Sequence, residues 1–183
     1  MIIYLIRHGQ TDWNKERRVQ GRNGLPLNDV GIQQAKDLSI KLKGVNFDYV
    51  FSSPQKRAIQ TAQIASGQKP MIDERLNVFD LGTADGLKIE EVKTIKDGLI
   101  PDPNLYSGVE QPKHYIARIF DFMNELSARF NEKDVTILIS GHKCTTGCIA
   151  AYFEGIPQDG NFLRLSSANG EYKMFDTLLN EKK

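Results

Sequence analysis

Two short apolar runs, each ending on a histidine, constrain this chain most. Residues 2–6 lead directly into Arg7-His8-Gly9-Gln10-Thr11, and residues 135–139 lead into Ser140-Gly141-His142. A short apolar run of this kind reads as a strand buried in a sheet. The chain has 3 histidines, and two of them occupy this one context. In an open α/β sheet, ligands bind in the crevice at the carboxyl ends of the strands. Two imidazoles and a guanidinium delivered there predict a pocket for an anion, with a nucleophile or base inside it.

The remaining periodicity alternates helices with strands. Asn28 or Asp29 caps a predicted helix to about Leu42, with Ile32, Ala35, Leu38 and Leu42 on its apolar side. Tyr49-Val50-Phe51 reads as a second strand. Ser53-Pro54 then reads as a helix start, serine as N-cap and proline at the first helical position, with the helix running to about Ala65. Met71-Ile72 is a candidate third strand. Pro112 opens an amphipathic helix to about Phe130, presenting Ile116, Ile119, Phe120, Met123 and Leu126. A strand over about 134–140 and a helix over about 144–153 follow. Asn169-Gly170 is a hairpin signal between segments 162–167 and 171–176. Residues 8–26 read as a polar loop. Residues 77–110 are glycine- and proline-rich and read as a substrate-capping excursion holding one short helix over about 88–95. The pattern predicts an α/β fold: a three-layer α/β/α sandwich around a mostly parallel central sheet, with a mixed edge. No repeat or linker divides the chain, so residues 1–183 read as one domain.

Composition narrows the function classes. A net charge of +1 leaves no broad electrostatic footprint for nucleic acid or an anionic membrane surface. The apolar run at residues 2–6 is too short for a signal-peptide core, and no stretch approaches the roughly 20 apolar residues of a membrane span. Two cysteines, Cys144 and Cys148, are too few for a disulfide framework and fit a reducing compartment. A cytoplasmic protein with a small-molecule partner is expected; oligomeric state is not legible. His142, Cys144 and Cys148 make an incomplete zinc set with no evident fourth ligand, and packing of small residues is the better reading. No metal and no cofactor are expected.

The chemistry follows from the residue types. A largely neutral imidazole can attack an electrophile through one ring nitrogen. Arg7 and Arg57 offer planar forks that suit phosphoryl oxygens. Arg57 lies one helical turn after Ser53, so it and the helix start can face one place. His142 adds a donor at the second strand end, and Gly9 and Gly141 allow close backbone approach. This is a phosphate clamp around a nucleophile, the arrangement that phosphoryl transfer requires.

Arg7-His8-Gly9-Gln10-Thr11 followed by Asn14 resembles the signature of the histidine phosphatase superfamily, phosphoglycerate-mutase-like branch. Further blocks agree in order: Val19-Gln20-Gly21; Leu25-Pro26-Leu27 with Gly31, Gln34 and Ala35; Ser52-Ser53-Pro54 with Arg57-Ala58 and Gln60-Thr61-Ala62; Gly108 to Glu110 before the helix carrying Arg118; and His142. The resemblance covers most of the chain. It implies a phosphoglycerate mutase-like fold and metal-independent chemistry. His8 would be the phosphorylated nucleophile, and Arg7, Arg57 and His142 would hold the phosphoryl group. Gly9, Thr11, Asn14, Gln20 and the backbone near Gly21 would line the phosphate or substrate pocket. Water would then hydrolyse phospho-His8, or a hydroxyl would accept the group in a mutase; the chain lacks the longer insertion usual in mutases.

The chain departs from that pattern at the general acid. The glutamate position of the family falls on Val78, in Leu76-Asn77-Val78-Phe79-Asp80-Leu81-Gly82. A positioned general acid contributes about 10² to 10⁴-fold. Three readings stay open: Asp80 or Asp85 substitutes for it, the substrate carries a good leaving group, or the protein is a weak phosphate-ligand binder. Asp80 is the preferred substitute, since i and i+2 share a face in an extended segment. Turn capping is the competing role for Asp80 and Asp85. Glu110 reads equally as a helix-start carboxylate or a site contact, and His114 as an exposed residue. A second departure is Lys143-Cys144 after His142, where Lys143 is a candidate contact for an anionic substrate.

Overall fold

The computed structural model describes residues 1–95, 100–130 and 133–177. Strand β1 spans Ile2–Arg7, β2 Tyr49–Ser52, β3 Met71–Ile72, β6 Thr136–Gly141 and β7 Tyr172–Asp176. They form one sheet in the order β3-β2-β6-β1-β7, in which only β7 runs antiparallel. Two further short strands, β4 Thr94–Ile95 and β5 Ile100–Pro101, pair with each other outside it. The helices are α1 Asp12–Lys15, α2 Asp29–Lys41, α3 Lys56–Ser66, α4 Pro112–Phe130 and α5 Lys143–Glu154. Among the described residues no helix is long and apolar enough to cross a membrane.

Alternation within the strands creates two cores. Ile3, Leu5, Phe51, Ile137 and Ile139 pack with Tyr115, Ile119, Phe122 and Met123 of α4 and with Cys148 and Ile149 of α5. Their neighbours Ile6, Val50 and Leu138 pack on the opposite face with Leu38 of α2 and Ala62 and Ala65 of α3. Successive strand residues point to opposite faces, so a continuous apolar run is what a sheet covered on both sides requires. The predicted fold class, a central mostly parallel sheet between helical layers, is the observed one.

Several boundaries differ from expectation. The N-cap of α3 is Gln55; Ser53 lies ahead of it, its hydroxyl accepting the Gln55 N–H at 3.3 Å. The polar segment after His8 contains the single turn α1, closed by a capping box between Thr11 and Asn14. The expected helix over about 88–95 is absent: Thr94 and Ile95 pair with Pro101 and Ile100 instead. Residues 162–167 do not form a hairpin arm. Phe162–Leu165 is a 3₁₀ turn on α5, where the Phe162 carbonyl sits too close to Gly147 to admit any side chain there. Segment 172–176 finds its partner at β1, far away in sequence. The buried side of α4 is also rotated toward Tyr115 and Phe122, with Ile116 and Phe120 only half-buried.

Candidate active site

The register of the sheet builds the centre. Strands β1 and β6 are parallel with Arg7 opposite Gly141. The next residue on each strand, His8 and His142, therefore leaves the sheet beside the other. Their rings lie 5.1 Å apart at an interplanar angle of 61°. The His8 N–H donates to the Gly141 carbonyl at 3.0 Å, and strand β2 adds Ser53, whose N–H donates to the Ser140 carbonyl at 3.0 Å.

His8 is 4% exposed, and its Nδ1 lies 2.7 Å from the Gly9 carbonyl oxygen. A carbonyl only accepts, so Nδ1 carries the proton and Nε2 keeps its lone pair. Burial, then the charge of Arg57, holds the His8 imidazole well below its ordinary range; the Gly9 hydrogen bond opposes this and Arg7 adds to it. His142 is held well below its range by burial, then by the charges of Arg57, His8, Arg7 and Arg118. Its Nε2 lies 2.7 Å from the Ser53 hydroxyl. Both rings are thus neutral at neutral pH.

Arg57 comes from the first turn of α3 and is 1% exposed. Its Nη2 donates to the Gly21 carbonyl at 2.9 Å, and Gln55 Oε1 lies 3.5 Å from Nη1. Burial brings this guanidinium down to about 10, so it remains a cation at neutral pH. Arg7 donates to the Ser167 carbonyl at 3.3 Å. Arg7 Nε, Arg57 Nε and His142 Nδ1 are buried without hydrogen-bond partners. An unsatisfied buried polar group costs about 1–3 kcal/mol, so two guanidinium N–H donors and one imidazole nitrogen left open around His8 suit an acceptor-rich ligand. Among the described residues no group of three or more metal-binding side chains is assembled.

The other residues expected to line the pocket are mostly engaged with the protein. Thr11 and Asn14 bond each other as the cap of α1, and Gln20 Nε2 donates to the Thr11 hydroxyl at 2.8 Å. Gly9 packs on α2, where a Cβ would fall 2.5 Å from the Gly31 carbonyl, and its N–H donates to Thr61. Gly21 presents its carbonyl to Arg57 and its N–H to Asp85 at 2.7 Å. Asp85 also accepts from the Asn23 N–H at 2.8 Å. Asp80 accepts from the Gly82 N–H at 3.0 Å and faces Arg22 at 3.3 Å. Glu110 accepts from Arg118 Nε at 2.9 Å and Nη2 at 3.0 Å. Burial alone would raise the Glu110 carboxyl; Arg118, the Asp80 N–H and Arg22 outweigh it and hold it below the usual range. Lys143 and His114 are exposed.

Sequence reasoning missed two supports. Asn169 Nδ2 donates to the His8 carbonyl at 2.8 Å, and the Gly170 N–H donates to the Arg7 carbonyl at 3.2 Å. Asn169-Gly170 does make a turn, and that turn holds the nucleophile candidate's backbone. Arg118 donates to the carbonyls of Arg75, Asn77 and Val78 at 2.6, 2.8 and 3.1 Å. Its only sequence signal was its place after the Glu110 block.

Paired strand-end histidines, one buried and one half-buried guanidinium, and a mostly parallel sheet covered on both faces give a cationic cluster suited to an anion in an α/β protein. The sequence profile of the histidine phosphatase superfamily (branch 1) matches residues 3–177, and the chain belongs to that family. Its members are phosphatases or mutases that act through a phosphohistidine. Uncharacterized phosphatase PhoE of Bacillus subtilis is 30% identical over 142 residues, covering 76% of this chain and 71% of its own length. Probable phosphoglycerate mutase GpmB of Enterobacter sp. is 32% identical over 170 residues, covering 85% and 75%. The crystal structure of phosphoglycerate mutase from Thermus thermophilus superposes with a TM-score of 0.71 at 25% identity, covering 97% of this chain and 94% of that one. Bacillus stearothermophilus YhfR gives 0.79 at 28% identity, covering 96% and 90%.

Proposed function

We propose that this protein is a metal-independent phosphomonoesterase that moves a phosphoryl group from a small phosphate ester to His8 and then to water. The observation that carries the reading is the buried cluster itself: His8 with a free Nε2 lone pair, ringed by Arg7, Arg57 and His142, each with an unpartnered buried nitrogen. Nε2 attacks phosphorus while the guanidinium groups and His142 stabilise charge on the equatorial oxygens. The Ser53 hydroxyl, by donating to His142 Nε2, would leave Nδ1 protonated as the donor to a phosphoryl oxygen. The Gly9 carbonyl supports the imidazolium character that develops on phosphorylated His8. Residues 77–95 and 100–110, the described parts of the expected excursion 77–110, would cap the substrate; the partner would be a small molecule, and the protein would act in the cytoplasm without nucleic acid or membrane.

The test is His8→Ala with p-nitrophenyl phosphate. Phosphate release is expected to disappear, and an acid-labile phosphohistidine is expected only in the parent protein. Undiminished turnover in the variant would exclude His8 as the nucleophile. The names of GpmB and the Thermus structure favour a second reading, transfer between hydroxyls of phosphoglycerate. Interconversion of 2- and 3-phosphoglycerate faster than phosphate release would establish it.

A further inference from the structure

Among the described residues, the carboxylates of Asp80, Asp85 and Glu110 are all engaged as hydrogen-bond acceptors. Val78, at the family's acid position, is buried and apolar. Its segment is fixed beside the cluster: Asn77 Oδ1 accepts from the Val78 N–H at 2.9 Å and from Gln55 Nε2 at 2.9 Å, and Gln55 reaches toward Arg57. The two aspartates that could stand in are occupied as acceptors, Asp85 by the Gly21 and Asn23 amides and Asp80 by Gly82 and Arg22. Glu110 is locked to Arg118 through two hydrogen bonds. Ser53 occupies one nitrogen of His142, and a phosphoryl oxygen would occupy the other.

We propose that the site selects phosphoryl donors whose leaving group departs as an anion: aryl phosphates, acyl phosphates and phosphoanhydrides in preference to alkyl esters. The inference rests on the phosphatase reading above. In the first step the His8 Nε2–P bond forms and the P–O bond to the leaving group breaks. The leaving oxygen keeps that electron pair and leaves unprotonated, while Nδ1 retains its proton. In the second step water oxygen bonds phosphorus, the N–P pair returns to Nε2, and both water protons leave with phosphate as dihydrogen phosphate. A leaving group that is stable as an anion needs no acid for the first step; an alkoxide does, and general acid help of about 10² to 10⁴-fold is what Val78 removes.

The experiment measures kcat/KM for a series of substituted phenyl phosphates and for glycerol 2-phosphate, with the parent protein and Val78→Glu. For the parent, the rate should fall steeply as leaving-group basicity rises, with glycerol 2-phosphate at least about 10²-fold below p-nitrophenyl phosphate. Val78→Glu should flatten the series, mainly by raising the alkyl rate. Acetyl phosphate and pyrophosphate, run alongside, separate the acyl from the anhydride source. A flat series in the parent overturns the proposal, because an acid would already be at work; this holds even if Val78→Glu fails to fold. Failure of the phosphatase reading has a different signature, namely turnover that survives His8→Ala.

Discussion

Arg57 is a guanidinium inside the protein, held by the Gly21 carbonyl and Gln55 Oε1 and hemmed in by a glycine. A Cβ at Gly24 would collide with Arg57 Nη1 and fall 2.5 Å from Gln20 Cγ. Gly24→Ala therefore must displace the fork. The expected result is a fall in kcat/KM for p-nitrophenyl phosphate with little change in Tm; a variant that unfolds instead, or keeps full activity, contradicts this placement. Arg57→Lys keeps a charge but loses the planar pair of donors. Removing one preorganised donor to a developing oxyanion typically costs about 10² to 10³-fold. A loss of that order in kcat, read at unchanged circular dichroism, is expected for Arg57→Lys.

Among the elements, α4 fixes the segment that borders the site. Arg118 lies over the Tyr115 ring, 4.5 Å from its centroid, and its donors close the carbonyls of residues 75, 77 and 78 while Glu110 neutralises it. Tyr115 donates to the Thr145 hydroxyl at 3.1 Å, which ties α4 to the first turn of α5 behind His142. Arg118→Met would leave three carbonyls without their guanidinium donors and Glu110 with only the Asp80 N–H and Arg22. Breaking a buried pair from one side costs about 3–5 kcal/mol, less where water can enter. Urea denaturation should register a loss of about 3 kcal/mol, and a loss below about 1 kcal/mol would mean the segment is held from elsewhere. Elements with strong internal periodicity, such as α2 and α4, were legible in the sequence. Partners far away in sequence were not. The segment expected over 171–176 is β7 at the mixed edge, but it pairs with β1 and not with 162–167, whose Phe162–Leu165 forms a 3₁₀ turn that Gly147 lets dock on α5.

At the scale of the whole molecule, burying two imidazoles makes stability depend on pH. In the unfolded chain both take up protons below about pH 6.5, whereas burial and the neighbouring guanidinium groups keep both neutral in the folded protein to well below that. The unfolded state binds more protons, so stability is full above that pH and falls as pH drops. The slope is roughly 1.4 kcal/mol per pH unit for each imidazole. Denaturation midpoints at about pH 7.5 and about pH 5.5, on either side of the ordinary imidazole value, should therefore differ. Replacing both histidines by glutamine should shrink the difference. An unchanged difference would place the acid sensitivity in other groups. Phosphate should also raise Tm, since a ligand that binds only the folded state stabilises by about 2.7 kcal/mol at a hundredfold excess over Kd.

By itself the sequence determined the layered α/β class, because buried parallel strands need continuous apolar residues and covering helices need a period of about 3.6. It also singled out His8, Arg7, Arg57 and His142 as candidates, and the register of β1 and β6 brings the two imidazoles together. Tertiary structure decided what each neighbour does. Thr11 and Asn14 turn out to cap a helical turn, Asp80 and Asp85 to satisfy loop amides, and Asn169 to hold the His8 carbonyl. The last of these joins residues 161 positions apart. Partners at such separations are chosen by register and packing, which no local pattern encodes.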